Sequence, residues 1–284
     1  MHRYRDEFPI ERMCRLFRVS PSGYYAWRDR PLSKRAQENA LLLPEIRKIH
    51  QLSRQTYGSP RVHAELMARG FAAGRHRVAR LMHAAEMHGR RPKKRRQTTD
   101  SRHHFPVAPN LLNQDFRAER PNEKWLTDIT YIWTAEGWLY LATVLDLFSR
   151  KIVGWAMDAT LAGCLVEKAF GMAVQNRRPG TGLLHHSDRG SQYAAETYQR
   201  CLLGYHMQVS MSRTGNCYDN APMESFFSSL KVEQVHLRAY QSRKEARTDI
   251  FDYIEGFYNR MRRHSSLGYL SPDEFERQYY PSLS

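Results

Sequence analysis

The chain has 284 residues, 41% hydrophobic and 26% charged, with a formal net charge of +15. A mean hydropathy of −0.68, a longest apolar stretch (Trp138 to Leu145) too short to cross a bilayer, and an N-terminus without a signal-peptide core argue against membrane residence or export. The charge is one-sided: residues 1–120 hold 26 Lys and Arg against 11 Asp and Glu, whereas residues 121–284 hold 18 of each, which predicts a polyanion-gripping arm joined to a working domain.

Residues 9–30 predict two short helices. Ile10, Met13, Cys14 and Phe17 recur at helical spacing in the first. Ser20-Pro21 supplies an N-cap and a first-turn proline for the second, whose Tyr24, Tyr25 and Trp27 are expected in the core. From Asn39 to Gly89 the pattern is three helices. Leu42, Ile46 and Ile49 mark the inner face of the first, Ser59-Pro60 is expected to cap the second, and Gly70 stops it. In the third, Val78, Leu81, Met82 and Ala85 face inward while Arg75, His76, Arg77 and Arg80 form a basic face, which fits a helix-turn-helix aimed at a DNA groove. The run 90–96, with Arg90, Arg91, Lys93, Lys94, Arg95 and Arg96, has no periodicity and reads as a linker able to lie along phosphates. Pro106, Pro109 and Pro121 are expected to keep its continuation extended.

After Pro121 the grammar changes. Strands are predicted at Trp125–Ile132, Trp138–Phe148 and Lys151–Met157, with Ser149-Arg150 making a tight connection. A helix at Leu161–Gln175, a strand at Gly182–Ser187, a helix at Ser191–Leu203 and a strand at Met207–Met211 follow. Helices are then expected from near Pro222, around Lys244–Met261 and at Pro272–Tyr279. Three strands, helix, strand, helix, strand, helix is the order of the ribonuclease H-like fold. The predicted class is therefore α/β, a mixed five-stranded sheet with helices, preceded by an all-α helix-turn-helix-like region. The expected divisions are 1–37, a short helical segment; 38–89, the DNA-binding module; 90–121, the basic linker; and 122–284, the catalytic core.

Three acids stand out. Asp128 lies on the first strand, Asp188 closes the fourth, and Glu224 lies on the first turns of a helix, with 35 residues between it and Asp188. If the first and fourth strands are neighbours, the acids converge and can hold a pair of Mg²⁺ ions. Lys231 is two helical turns beyond Glu224, on the same face, where it would reach DNA. Asp219 reads as a solvated charge or helix cap, and His185 and His186 as structural. Cys14, Cys164, Cys201 and Cys217 form no C-x-x-C pair, which predicts a reducing compartment and neither a zinc knuckle nor disulfides.

These motifs carry a resemblance. V-S-P-S-G-Y-Y-A-W (19–27), Y-G-S-P-R-V (57–62), W-L-T-D-I-T-Y (125–131), H-S-D-R-G-S-Q-Y (186–193), S-R-T-G-N-C-Y-D-N-A-P-M-E-S-F-F-S-S-L-K (212–231) and Y-N-R-M-R-R-H-S-S-L-G-Y-L-S-P (258–272) resemble the second-reading-frame product of an insertion-sequence transposase, related to retroviral integrases. The resemblance covers the chain end to end. It implies a DDE core carrying Asp128, Asp188 and Glu224, with two Mg²⁺ or Mn²⁺ ions, that cuts transposon ends and joins a DNA 3′-hydroxyl to another phosphodiester. It further implies double-stranded DNA at the ends and target, a homo-oligomer, a first-reading-frame partner or fusion, and a bacterial cytoplasmic, nucleoid-associated location. The chain shows no leucine heptads at its start and no His/Cys zinc module. Other classes remain: a ribonuclease H-type nuclease using water, a helix-turn-helix regulator with an idle core, and a tyrosine recombinase, superficially invited by Arg263, His264 and Tyr269. If those last three residues are not catalytic, they are expected to position DNA or cap helices.

Overall fold

The computed structural model describes residues 1–90, 106–214 and 217–280. The N-terminal half is helical: α1 (Ile10–Leu16), α2 (Pro21–Arg28), α3 (Lys34–Leu52), α4 (Ser59–Ala68) and α5 (Arg75–Ala84). Ser20 caps α2 as expected, accepting from the Gly23 N–H, with Pro21 in the first turn. Of the three aromatics on that helix only Tyr24 is buried, while Tyr25 and Trp27 are 40% and 59% exposed. An eight-residue helix with one neighbour has a single buried face, and it cannot hide three aromatics so close together. At α4 the cap position is Gly58, and Ser59 with Pro60 forms the first helical turn rather than a side-chain cap.

The C-terminal half carries β1 (Lys124–Thr134), β2 (Gly137–Asp146), β3 (Ile152–Asp158), α6 (Gly163–Arg177), β4 (Leu184–Ser187), α7 (Ser191–Ala194), α8 (Glu196–Gly204), β5 (Gln208–Met211), α9 (Ala221–Glu233), α10 (Arg243–Phe251) and α11 (Pro272–Tyr279). The strands form one mixed sheet in the order β3-β2-β1-β4-β5. β1, β2 and β3 pair antiparallel, and β4 and β5 add in parallel on the other side of β1. Each parallel addition needs a crossover, which α6 and then α7 with α8 provide. α6 lies so close to β3 that a Cβ on Gly154 would come within 2.2 Å of the Ala169 carbonyl oxygen, so glycine is required there.

One apolar cluster, with Trp125, Val144, Phe170, Tyr193 and Leu202, fills one face of the sheet beneath α6 and α8. The other runs without interruption from Ile46, Tyr57 and Val62 in the helical half to Leu126, Phe226 and Phe257 in the sheet half. The helical half is therefore docked, and ion pairs and hydrogen bonds reinforce the contact. Arg54 pairs with Asp252 at 2.6 Å and donates to Gln234 at 2.8 Å. Tyr57 Oη donates to the Met261 carbonyl (3.0 Å) and accepts from the Arg263 N–H (2.8 Å). Arg263 pairs with Glu65 at 2.5 Å.

After Phe251 the helix widens into seven residues of π-helix, Asp252–Tyr258, which bury Tyr253, Ile254, Phe257 and Tyr258 together. The helix expected at Ser191–Leu203 is broken at Ala195, whose backbone is extended. Residues beyond the basic run are also tied down: the Leu111 and Leu112 N–H groups donate to Ser210 Oγ at 2.9 and 3.2 Å, and Leu112 is buried. No helix among the described residues is long and apolar enough to cross a membrane.

Candidate active site

β1 and β4 run in parallel with Leu126 opposite His186. Two residues further along that register, Asp128 comes beside Asp188, the first residue past the end of β4. Both carboxylates are oriented by backbone: Asp128 Oδ1 accepts from the Ile129 N–H at 2.7 Å, and Asp188 Oδ1 accepts from the Gly190 N–H at 2.9 Å.

Glu224 is set by the start of α9. Met223, Phe226, Phe227 and Leu230 bury one side of this helix, leaving Glu224 exposed in its first turn. The start itself is held from two directions. Asn220 occupies the N-cap position but makes no capping bond; its Nδ2 donates across to the Thr127 carbonyl at 3.3 Å, one residue before Asp128. Asp219 is neither solvated nor a cap. Fully buried, it accepts from the Arg213 backbone N–H and guanidinium, from Asn110 Nδ2 and from Gln114 Nε2, all between 2.7 and 3.0 Å. Those bonds, led by Arg213, hold its carboxyl far below the usual range against the cost of burial. This anchor joins the segment after the basic run, the exit from β5 and the entry to α9.

The acids feel one another. Burial first, then the charge of Asp188, pushes the Asp128 carboxyl well above its ordinary range; Glu224 adds to this, while the Ile129 N–H and Lys231 oppose it. Burial also raises Glu224. The four groups predicted to act together thus share one electrostatic neighbourhood. Two tyrosines missed in the sequence border it: after burial, Asp128 and Asp188 are the main charges raising the Tyr193 hydroxyl, and they raise Tyr131 as well. Both lie inside the motifs that carry the acids, at three and five residues from an aspartate, and that spacing was the available signal.

The donor set is all oxygen. His186 has both nitrogens engaged, Nδ1 with Ser210 Oγ at 2.8 Å and Nε2 with Ser212 Oγ at 3.0 Å, and His185 Nε2 meets Tyr198 Oη at 3.0 Å. Burial lowers these imidazoles to about 4 and about 3, so both are neutral structural groups. Carboxylates that repel one another, with no imidazole among them, suit a hard divalent cation. Among the described residues no three His, Cys, Asp or Glu side chains form a closed coordination set. Mg²⁺ characteristically takes one or two carboxylates and completes its shell with water and substrate phosphates, so the residues present fit that ion.

On α5, Arg75, His76 and Arg80 are exposed, as a DNA-facing surface requires. Arg77 departs from that expectation. It pairs with Glu38 at 3.0 Å and donates to Asn39 at 2.7 Å, fastening α5 to α3. Arg90 is exposed, whereas Arg91, Lys93, Lys94, Arg95 and Arg96 lie outside the described residues. Arg263 and His264 are buried, and Arg263 donates to the Tyr269 carbonyl at 2.7 Å. Arg263, paired with Glu65 of α4, fastens the two halves together, and the His264 backbone pairs with Leu270.

Two kinds of protein-family model match this architecture. Residues 36–95 match an HTH-like domain family, and residues 118–217 and 224–280 match integrase core domain families. An insertion element IS600 protein of 31 kDa from Shigella sonnei is 47% identical over 268 residues, 94% of this chain and 98% of that protein. Transposase InsF for insertion sequence IS3A from Escherichia coli (strain K12) is 41% identical over 280 residues, 98% of this chain and 97% of that one. Among solved structures, the catalytic core domain of BIV integrase aligns at 13% identity with a TM-score of 0.43, covering 57% of this chain and 99% of that one. The chain belongs to the insertion-sequence transposases built on an integrase core and an HTH-like domain.

Proposed function

We propose that this transposase cuts DNA at the ends of an insertion sequence and joins the freed 3′-hydroxyl to a second phosphodiester, with Asp128, Asp188 and Glu224 as its catalytic carboxylates. The observation that supports this most directly is the β1–β4 register, which sets Asp128 beside Asp188, while the charge of Glu224 acts on Asp128. Mg²⁺ or Mn²⁺, two ions per site, held by these oxygens would polarise the phosphate and lower the pKa of the attacking hydroxyl. Asp128, within β1, and Asp188, just past the end of the adjacent β4, are each oriented by a backbone N–H group; Glu224, on a helix pinned through Asn220 and Asp219, closes the third side. Lys231 on the same helix neutralises a nonbridging phosphate oxygen. Each step forms one P–O bond and breaks another: water first releases the 3′-hydroxyl, and that hydroxyl then displaces a 3′-oxygen of the target. No covalent link to the protein is needed.

The exposed Arg75, His76 and Arg80, with the basic run from Arg90 to Arg96, extend the DNA path across residues 38–121, leaving 122–284 as the catalytic core. Joining two ends calls for at least two copies of the chain, and we assign end recognition to it together with a first-reading-frame partner. The test is strand transfer on labelled end duplexes with Mg²⁺, with and without that partner, comparing wild type with Asp188→Asn and Glu224→Gln. Both variants are expected to lose joining by more than a hundredfold while still binding DNA. Variants that join as well as wild type would remove these carboxylates from the mechanism.

A further inference from the structure

A second site stands on another face of α9. A cavity of about 370 Å³ opens between the first turns of that helix, the β2–β3 turn and the segment following the π-helix, and Arg61, Arg150, Arg262, His264, Ser225 and Ser229 line it. The charge in it does not balance. Arg262 is buried and doubly bonded to Glu233, at 2.7 and 2.8 Å, with a further bond to Ser229 Oγ at 2.9 Å. Arg61 stands 3.8 Å from the same carboxylate and donates to the Arg263 carbonyl. Arg150 has no carboxylate partner among the described residues; its Nη2 makes one long bond, 3.4 Å, to the Phe116 carbonyl. Two guanidiniums therefore share one carboxylate, and the third has none among the described residues.

His264 sits at the wall of this cavity, 9% exposed, with Nε2 buried and without a hydrogen-bond partner. Burial and the charges of Arg262, Arg61 and Arg150 keep its ring neutral. A buried polar atom without a partner and half-buried cations without a counter-charge are both costly. One ligand class relieves both: an oxyanion that accepts from the guanidinium forks and from His264 Nε2–H. The first turn of α9, with Ala221 and Pro222 on the cavity wall, adds the favourable end of a thirteen-residue helix dipole. Forked arginine donors pair bidentately with phosphate oxygens, and a phosphate has further oxygens left to accept from His264 Nε2–H.

We propose that this cavity is a phosphate-binding pocket, filled either by a backbone phosphate of bound DNA or by free phosphate, with Arg150 and His264 Nε2 as the groups that wait for it. Only the DNA source rests on the DNA-joining function; binding of the anion does not. The full chain is titrated with inorganic phosphate against potassium chloride of equal ionic strength, reading melting temperature and ³¹P line width. Wild type is expected to show a phosphate-specific rise. Arg150→Ala should weaken phosphate at least tenfold. His264→Phe removes the orphaned nitrogen, so it should melt no lower than wild type without phosphate and yet lose the phosphate-specific rise, which separates binding from folding. Asp188→Asn should bind phosphate like wild type even though it cannot join DNA.

The source is read on end duplexes with one methylphosphonate at each position in turn. A position where charge removal and Arg150→Ala no longer add assigns the pocket to a DNA phosphate. Phosphate binding without such a position assigns it to the free anion. Equal phosphate response in wild type, Arg150→Ala and His264→Phe, or no response above chloride in wild type, would overturn the proposal.

Discussion

Replacing Glu233 by glutamine should cost the protein more than any exposed substitution of its size. The carboxylate is 5% exposed and accepts from Arg262 Nε (2.8 Å), Arg262 Nη2 (2.7 Å) and Tyr253 Oη (2.8 Å), with Arg61 at 3.8 Å. Glutamine has nearly the same shape but offers one acceptor oxygen, and its amide turns N–H donors toward guanidinium donors. It also leaves Arg262 buried without its charge partner. Breaking a buried pair by removing one member costs about 3–5 kcal/mol, which for a chain of this size is roughly 6–10 °C in melting temperature. Scanning calorimetry at neutral pH reads the shift directly. The double variant Glu233→Leu/Arg262→Met should recover most of it, because an apolar pair carries no desolvation cost.

Acid provides an independent reading of the same pair. Burial alone would raise the Glu233 carboxyl, but the charge and hydrogen bonds of Arg262, with Arg61 and Tyr253, outweigh it and hold the group below its usual range. The stability it contributes is therefore complete above the unfolded glutamate value of about 4.3 and is lost as pH falls through the lower folded value. Wild type should lose more stability than Glu233→Gln across that window. A neutral-pH shift under about 2 °C, or identical acid profiles, would refute the reading of Glu233 and Arg262 as a stabilising buried ion pair.

Asp128→Asn should melt higher than wild type in divalent-free buffer, because it removes a carboxylate crowded by burial, Asp188 and Glu224. It should also abolish the rise that Mg²⁺ or Mn²⁺ gives wild type; an unchanged metal-induced rise in the variant would place the ion elsewhere. On the helical half, Arg75→Ala and Arg80→Ala should each lower the slope of log affinity against log salt by about 1 with little effect on stability. Arg77→Ala should act the other way, lowering the melting temperature through loss of Glu38 and Asn39 with a smaller change in salt slope. Filter binding at several salt concentrations, beside thermal scans, distinguishes the two patterns.

The convergence of the acids was legible because it depends on short-range rules. Alternation on β1 and the parallel addition of β4 fix where Asp128 and Asp188 stand, and helical spacing fixes Glu224 and Lys231. Features that depend on distant partners left no such trace. Asp219 looks like any turn aspartate until Arg213, Asn110 and Gln114 are folded around it. Asp146 follows the apolar stretch Trp138 to Leu145 as a charged residue, yet it is fully buried and paired with Arg177, which also bonds Glu276 of α11. The break at Ala195 falls in a sequence with good helix propensity. It is compensated by Gln199 Nε2, which donates to the Tyr193 carbonyl at 2.6 Å, a contact between two elements rather than a local preference.

The π-helical stretch from Asp252 to Tyr258 gives the end of the chain a fixed phase. An α-helix turns about 100° per residue, so removing one residue here to restore ordinary winding would swing everything beyond it by roughly that angle. Arg262 would leave Glu233, Arg263 would leave Glu65, and His264 would leave its cavity in the same stroke. Three functions of this segment (docking, ion pairing and the second cavity) are thus geared to one counting rule. Length changes should be far less tolerated between residues 252 and 264 than in the turn at Arg178–Thr181, where nothing downstream is keyed to the winding of a helix.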